Sequence, residues 1–290
     1  MTLRHRLHES TIVVQDTEQQ RKRTAVAGGS RWCSCRCLAC FAAPVACTAA
    51  VILSAERPVL QLQILLGHPQ SWLIDKINPQ KERGYEVAVV PAALQQMLVE
   101  FADSNPPARS FSGLGRAIGE GALEDFIISG PTRFARVPVR LEAAAAQHMR
   151  PILEAFCDCT LAPRPKVHGL RTYLPGATLA AHLDWPDAWV VSATLCVRRN
   201  ASLPPWPVAL HGRGVPLGGA TVALGEGEAL LYEGSRLWHG RPEPLDGEYT
   251  GLFVGFVPVE YPARAGLATR AIHAAVRAVK EQAFRWFHGH

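Results

Sequence analysis

The sequence predicts an α+β fold, mainly β: a sandwich or jelly-roll core with supporting N-terminal helices and one C-terminal helix. Two observations carry this. From residue 167 to about 260 the chain falls into eight short apolar or alternating segments punctuated by Gly and Pro, the texture of close-spaced strands. On either side of that stretch the apolar spacing changes to i, i+3, i+4, the period of helices with one face to cover.

The elements follow in order. Residues 1–60 hold eight Lys/Arg against four Asp/Glu, so most of the net charge of +5 sits in an arm and the rest of the chain is nearly neutral. A nucleic-acid footprint over the body is therefore not expected. Within the arm, residues 38–54, "LACFAAPVACTAAVILS", are uncharged and follow Arg31 and Arg36. That is the pattern of a signal-peptide core or a marginal anchor, and equally of a poorly ordered leader, so membrane association through 38–54 stays open and no compartment is assigned. Five cysteines, at 33, 35, 37, 40 and 47, cluster here without the second ligand pair of a zinc site. The expected division is a leader over 1–60 and a single domain over 61–290, with helical support at 85–160, the β core at 165–260 and a C-terminal helix at 264–287.

In "VPAALQQMLVEFA", Leu94, Met97, Leu98 and Phe101 share a helical face, which predicts a helix over about 91–103; Ser/Pro/Gly-rich residues 104–120 read as a loop. A second helix runs through "RLEAAAAQHMRPILEAFC", where Pro151 either kinks it or starts a new turn. The expected strands are "HGLRTYL", "TLAAHLDW", "WVVSATLCV", "WPVALH", "ATVAL", "GEALLYE", "RLWHG" and "TGLFVGFVPV". Cys157, Cys159 and Cys196 are expected as reduced thiols. The tail "GLATRAIHAAVRAVKEQAFRWF" offers Leu267, Ile272, Val276, Val279 and Phe284 as a core-facing stripe.

One strand carries an oddity. In "AHLDW", His182 and Asp184 interrupt an apolar run, and residues i and i+2 of a strand share a face. His239 follows a later strand, in "LWHGRPEPL". Two imidazoles and one carboxylate make the facial donor set of non-haem Fe(II) sites, whereas a structural zinc site is more often closed by four ligands.

The order of these features resembles that of the 2-oxoglutarate/Fe(II)-dependent dioxygenase superfamily, in its prolyl 4-hydroxylase-like form. The residues carrying the likeness are Tyr173, Gly176 in a turn, the "HLD" pair, the "VSATL" strand, "GEALLY" at 227–232 and His239, within about 140–260. "HGRPEPL" and "FVGFVP" resemble a subgroup of uncharacterised members. The resemblance implies a double-stranded β-helix (jelly roll) core and an iron held by His182, Asp184 and His239. It further implies 2-oxoglutarate as co-substrate, O2, a supporting role for ascorbate, and hydroxylation of a peptidyl or small-molecule substrate with release of succinate and CO2. Asp184 favours hydroxylation over halogenation, because related halogenases lack this carboxylate.

One departure matters. The family places a Lys or Arg about ten residues past the distal His; here the tenth is Tyr249, and no Lys or Arg falls between Pro242 and Ala263. A dicarboxylate still calls for a cation, best a bidentate guanidinium. Arg241, two past His239, is the first candidate and Arg171, sharing a face with Tyr173, the second. The Tyr173 hydroxyl is a further ligand to that carboxylate, and Ser192 and Thr194 are alternates lining the pocket. Residues 198–206, "RRNASLPPW", are a candidate lid. The competing class is a cupin-like metal- or ligand-binding barrel without catalysis, and the cation discriminates between the two.

Overall fold

The computed structural model describes residues 71–104, 110–111, 127–216 and 219–288. The apolar run 38–54 and the cysteines at 33–47 lie outside the described residues. Along the chain the elements are β1 (Tyr85–Val89), α1 (Ala92–Ser104), β2 (Ser110–Phe111), β3 (Ile128–Ser129), β4 (Thr132–Ala135) and α2 (Val139–Cys157). Then come β5 (Lys166–Tyr173), β6 (Thr178–His182), β7 (Val191–Arg199), β8 (Val208–His211), β9 (Ala220–Val222), β10 (Glu228–Tyr232), β11 (Trp238–Arg241), β12 (Tyr249–Phe256) and α3 (Leu267–His288). Among the described residues no helix is long and apolar enough to cross a membrane.

The strands form two antiparallel sheets, ordered β1-β10-β7-β12-β5-β4-β2 and β3-β6-β11-β8-β9. All eight strands expected from residue 167 onward are present, as β5 to β12. The stretch 85–160 is not purely helical support: it also supplies β1 and β2 at the edges of the larger sheet, β4 beside β2, and β3 at one edge of the smaller. β2 falls inside the expected loop 104–120. Segments of two to five residues are too short to show a period of their own, and pairing to a longer neighbour makes them strands.

The larger sheet is covered on both faces. Val191, Ala193, Leu195 and Val197 of β7 pack outward with Leu252 and Val254 of β12, under Leu94 and Leu98 of α1 and Leu141, Met149 and Leu153 of α2. Cys196, Leu230, Tyr232 and Tyr249 point the other way, onto Leu210, Val222 and Leu237 of the smaller sheet and its loops. This explains why "VVSATLCV" reads as a nearly unbroken apolar run, since a strand buried on both faces has no solvent side to alternate with.

Two expectations are corrected, and one alternative is closed. α2 runs unbroken through Pro151, so no new helix starts there, and it closes at Asp158 in the left-handed region (φ 50°), whose N–H donates to Glu154 O. That turn brings the flanking cysteines to one side, and Cys157 and Cys159 form a disulfide rather than two reduced thiols; Cys196 is free and buried. The stripe on α3 does not face the core: Leu267 is 76% exposed, Ile272 and Val276 are half-buried, and the buried positions are Thr269 and His273. The side chains of Val279 and Phe284 lie outside the described residues. Among the described residues α3 is held by hydrogen bonds at its N-terminal end, with Gly266 N–H and Thr269 Oγ1 donating to Asp75 Oδ2, and Tyr261 Oη 3.3 Å from His273 Nδ1.

Candidate metal centre

His182 ends β6 and His239 lies directly opposite it on β11. Their rings sit 4.4 Å apart between centroids. Asp184 is not part of the strand that "TLAAHLDW" predicts, because β6 stops at His182. Its N–H instead donates to Gly234 O, at 3.0 Å, which ties the loop after β6 to the β10–β11 loop. The two histidines and the carboxylate converge all the same: His182 Nε2 and His239 Nε2 lie 3.7 and 3.5 Å from Asp184 Oδ1. One ligand atom from each of the three falls within 4.8 Å of the others, and all three residues are buried.

The hydrogen bonds settle which ring nitrogens face inward. His182 Nδ1–H donates to Ala180 O at 2.9 Å and His239 Nδ1–H to Leu237 O at 2.8 Å, each a carbonyl two residues back. Each Nε2 is thereby left with its lone pair toward Asp184, as a metal ligand requires. Burial, with His239 adding to it and Asp184 opposing, pulls the His182 pKa from 6.5 down to about 4. The His182–Asp184 contact is therefore not an ion pair at neutral pH, and the imidazole is available as a neutral donor. Ligand atoms about 2.1 Å from one ion and at right angles lie about 3 Å apart, so gaps of 3.5 and 3.7 Å close with small side-chain adjustment. The donor set fits one divalent metal with open positions.

The floor and walls of the site come from the inner face of the larger sheet. Ser192 Oγ donates to Asp184 Oδ2 at 3.0 Å, leaving Oδ1 to the histidines. Gly234 is required here: a Cβ would stand 2.1 Å from Asp184 Oδ2 and 2.4 Å from Ser192 Oγ. The Tyr232 ring lies 4.5 Å from that of His239, and burial, with Asp184 adding to it and Arg241 opposing, raises its pKa well above 10. Its phenol stays protonated between the carboxylate and the guanidinium. Sequence reasoning missed this residue; the signal was there in the alternation of "EALLY", which turns Leu230 and Tyr232 inward.

Arg241 continues β11 two residues past His239, buried at 3% exposure. Its Nη1 donates to Trp206 O and its Nη2 to Tyr249 Oη at 2.9 Å, and its guanidinium lies over both rings, 4.7 Å from the Trp206 centroid and 4.3 Å from that of Tyr249. The Tyr173 ring is 5.0 Å from Trp206 and 6.4 Å from Tyr249, in the same group. Arg171 is turned elsewhere, donating to Thr132 Oγ1 at 3.1 Å and stacked 5.2 Å over Phe134. Thr194 is half-buried, between Leu230 and Phe253 of the neighbouring strands. The segment 198–206, the candidate lid, ends at Trp206 in the core, 5% exposed with its Nε1 donating to Glu243 O.

A contrast within the molecule sharpens the role of Arg241. Arg236 is also fully buried, and it is neutralised by Glu233. Among the described residues no ion pair includes Arg241. A buried guanidinium with hydrogen bonds but no counter-charge is costly, and it sits where an anion would relieve that cost.

The geometry thus defines a two-sheet β protein in which two imidazoles and a carboxylate could hold one metal ion, with a buried arginine two residues past one of them on the same strand. No family model matches the chain, and no curated protein is similar to it. Solved structures similar to it include prolyl-4-hydroxylase-like and 2OG-Fe(II) oxygenase structures. They include a Pseudomonas putida prolyl-4-hydroxylase, 18% identical, covering 61% of this chain and 93% of that one with a TM-score of 0.44. A Trichoplax adhaerens prolyl hydroxylase, solved with a hypoxia-inducible-factor peptide fragment, is 11% identical and covers 72% and 97%, with a TM-score of 0.45. A 2OG-Fe(II) oxygenase family oxidoreductase from Burkholderia pseudomallei is 12% identical and covers 60% and 85%, with a TM-score of 0.40.

Proposed function

We propose that this chain is an Fe(II)- and 2-oxoglutarate-dependent oxygenase of the double-stranded β-helix type, hydroxylating a peptidyl or small-molecule substrate. The observation that carries the reading is the pairing of a three-ligand site with the uncompensated Arg241 on the same strand as one ligand. Bound at His182, Asp184 and His239, Fe(II) with 2-oxoglutarate and O2 supplies oxidative decarboxylation to succinate and CO2, coupled to hydroxylation of a C–H bond. The chain's residues do the rest. His182 and His239 offer ring nitrogens fixed by backbone hydrogen bonds, and Asp184 a carboxylate oxygen. Ser192 holds the second oxygen of Asp184, and Arg241 receives the far carboxylate of the co-substrate with Tyr249 and Tyr173 beside it. Tyr232, kept as the phenol, offers an O–H within the same pocket.

Residues 61–290 are read as the catalytic domain and 1–60 as an arm outside it. The test is an anaerobic titration with Fe(II) and 2-oxoglutarate, followed by metal-to-ligand charge-transfer absorbance, then succinate release in air with ascorbate. Wild type is expected to show the band. Asp184→Ala is expected to lose it with the metal, whereas Arg241→Met keeps Co(II) binding but weakens 2-oxoglutarate about tenfold or more, the worth of a charge-assisted bidentate contact. A metal-binding chain that releases no succinate, and whose 2-oxoglutarate affinity ignores both Arg241 and Arg171, is instead a non-catalytic barrel.

A further inference from the structure

Trp189 lies in the loop between Asp184 and β7, and its ring packs against β12 at Gly255 and Phe253. In the antiparallel register Gly255 of β12 stands opposite Ser192 of β7, whose side chain reaches Asp184; partners so placed project to one face. A Cβ on Gly255 would fall 1.8 Å from Trp189 Cδ1 and 2.7 Å from Nε1, so this edge of the indole occupies the space the glycine leaves on the inner face. Phe253, two residues away on the same face, stacks on the indole with centroids 5.5 Å apart and planes at 18°. The backbone of Trp189 is tied to the metal loop as well: its N–H donates to Trp185 O, and its carbonyl and Asp184 Oδ2 both crowd the bare Cα of Gly234. Gly255 and the Phe253 ring thus hold the indole on the inner face of the larger sheet, while Gly234 admits the Trp189 carbonyl next to Asp184.

Against that ordered placement, the indole Nε1–H is buried and has no hydrogen-bond partner among the described residues. A buried Trp ordinarily finds an acceptor for this group, and Trp206 does so in the same molecule. We infer that Trp189 is a substrate-positioning residue, whose N–H donates to an oxygen acceptor of the substrate while its ring and Phe253 form the apolar wall beside that oxygen. The substrate class this selects carries a carbonyl oxygen next to apolar surface. The inference rests on the metal-site reading above and deepens it, since a group held beside Asp184 faces substrate only if the ion is bound there.

The test uses the full chain with its seven tryptophans 15N-labelled on the indole nitrogen. Loss of one signal in Trp189→Phe identifies Trp189, and Phe253→Leu identifies it independently through the lost ring-current shift. N,N-dimethylacetamide, a carbonyl acceptor with apolar methyls and no donor, is titrated in. The expected result is a saturable downfield shift of the Trp189 signal, with Trp189→Phe weakening the probe about two- to tenfold by saturation transfer, the worth of one hydrogen bond. Trp189→Phe keeps the stacked ring and is expected to keep the Fe(II)–2-oxoglutarate band. A wild-type chain without that band overturns the metal reading and this inference with it. A band with an unmoved Trp189 signal, or with equal probe affinity in Trp189→Phe, overturns the inference alone.

Discussion

At 3.0 Å from Asp184 Oδ2, the Ser192 hydroxyl decides how the carboxylate presents itself to the two imidazoles. Groups that orient a ligand in this way are worth about 10- to 100-fold in metal affinity. Ser192→Ala is therefore expected to weaken Co(II) binding by that factor without unfolding the chain, as read from Co(II) absorbance titration; unchanged affinity would show that Oδ2 needs no support. The residue types and spacing of the triad were visible in "HLD" and "LWHG". The partners that hold them were not, because Ala180 O, Leu237 O and Gly234 O are backbone atoms and any residue supplies them. Arg241 stood out only as the nearest cation past His239. Its burial without a carboxylate is what distinguishes it from Arg171, and that is a property of its surroundings. Cys196, beside Tyr249 on the same inner face, is an inert thiol, since burial pushes its pKa up to about 11 against the pull of Arg241.

β6 and β11 bring the two histidines into register, and their close approach depends on Gly240. A Cβ there would meet Ala181 N at 2.7 Å and Leu179 O at 2.8 Å, backbone atoms that cannot rotate away. Gly240→Ala is expected to cost about 1–3 kcal/mol, the usual penalty of overpacking, and to weaken metal binding as the strands part. Urea denaturation and the Co(II) titration check the two effects; a variant of wild-type stability would refute the close-packing argument. Long elements were legible in the sequence for a physical reason. α1, α2, β5, β7 and β12 carry enough residues for a period or an apolar run to show, and the shorter strands between them sit in apolar runs bracketed by Gly and Pro. β2, β3 and β4 do not, and the edge strand β1 joins the sheet only by pairing with β10.

Across the whole molecule, the described part of α3 is tied to the rest of the chain by polar groups. His273, fully buried, faces Tyr261 from the loop after β12, Arg277 on its own helix, and Asp187 from the loop carrying Trp189. Burial, then Arg277, lowers its pKa from 6.5 to about 4, with Asp187 opposing. The folded state thus binds fewer protons than the unfolded one between pH 4 and 6.5, and stability rises with pH across that window. The contribution is complete above about pH 6.5 and is lost as pH falls toward 4, at most about 3 kcal/mol for a group shifted this far. His182 titrates over the same window when no metal is bound. Unfolding free energies at pH 7 and pH 4.5 are expected to differ more in wild type than in His273→Gln, by about one proton's linkage; equal differences would mean that His273 is not buried neutral.

By itself the sequence determined the donor types, their order along the chain and the eight strands that carry them, because periodicity and ligand chemistry are local properties. The tertiary structure decided which of two arginines is buried without a carboxylate, that Asp184 reaches the two histidines from a loop, and that the buried positions described on α3 are Thr269 and His273 rather than the apolar stripe. It also decided that Cys157 and Cys159 are joined. These depend on which surfaces meet across the sheets, and on which buried groups find partners there, and neither is written in the spacing of any one segment.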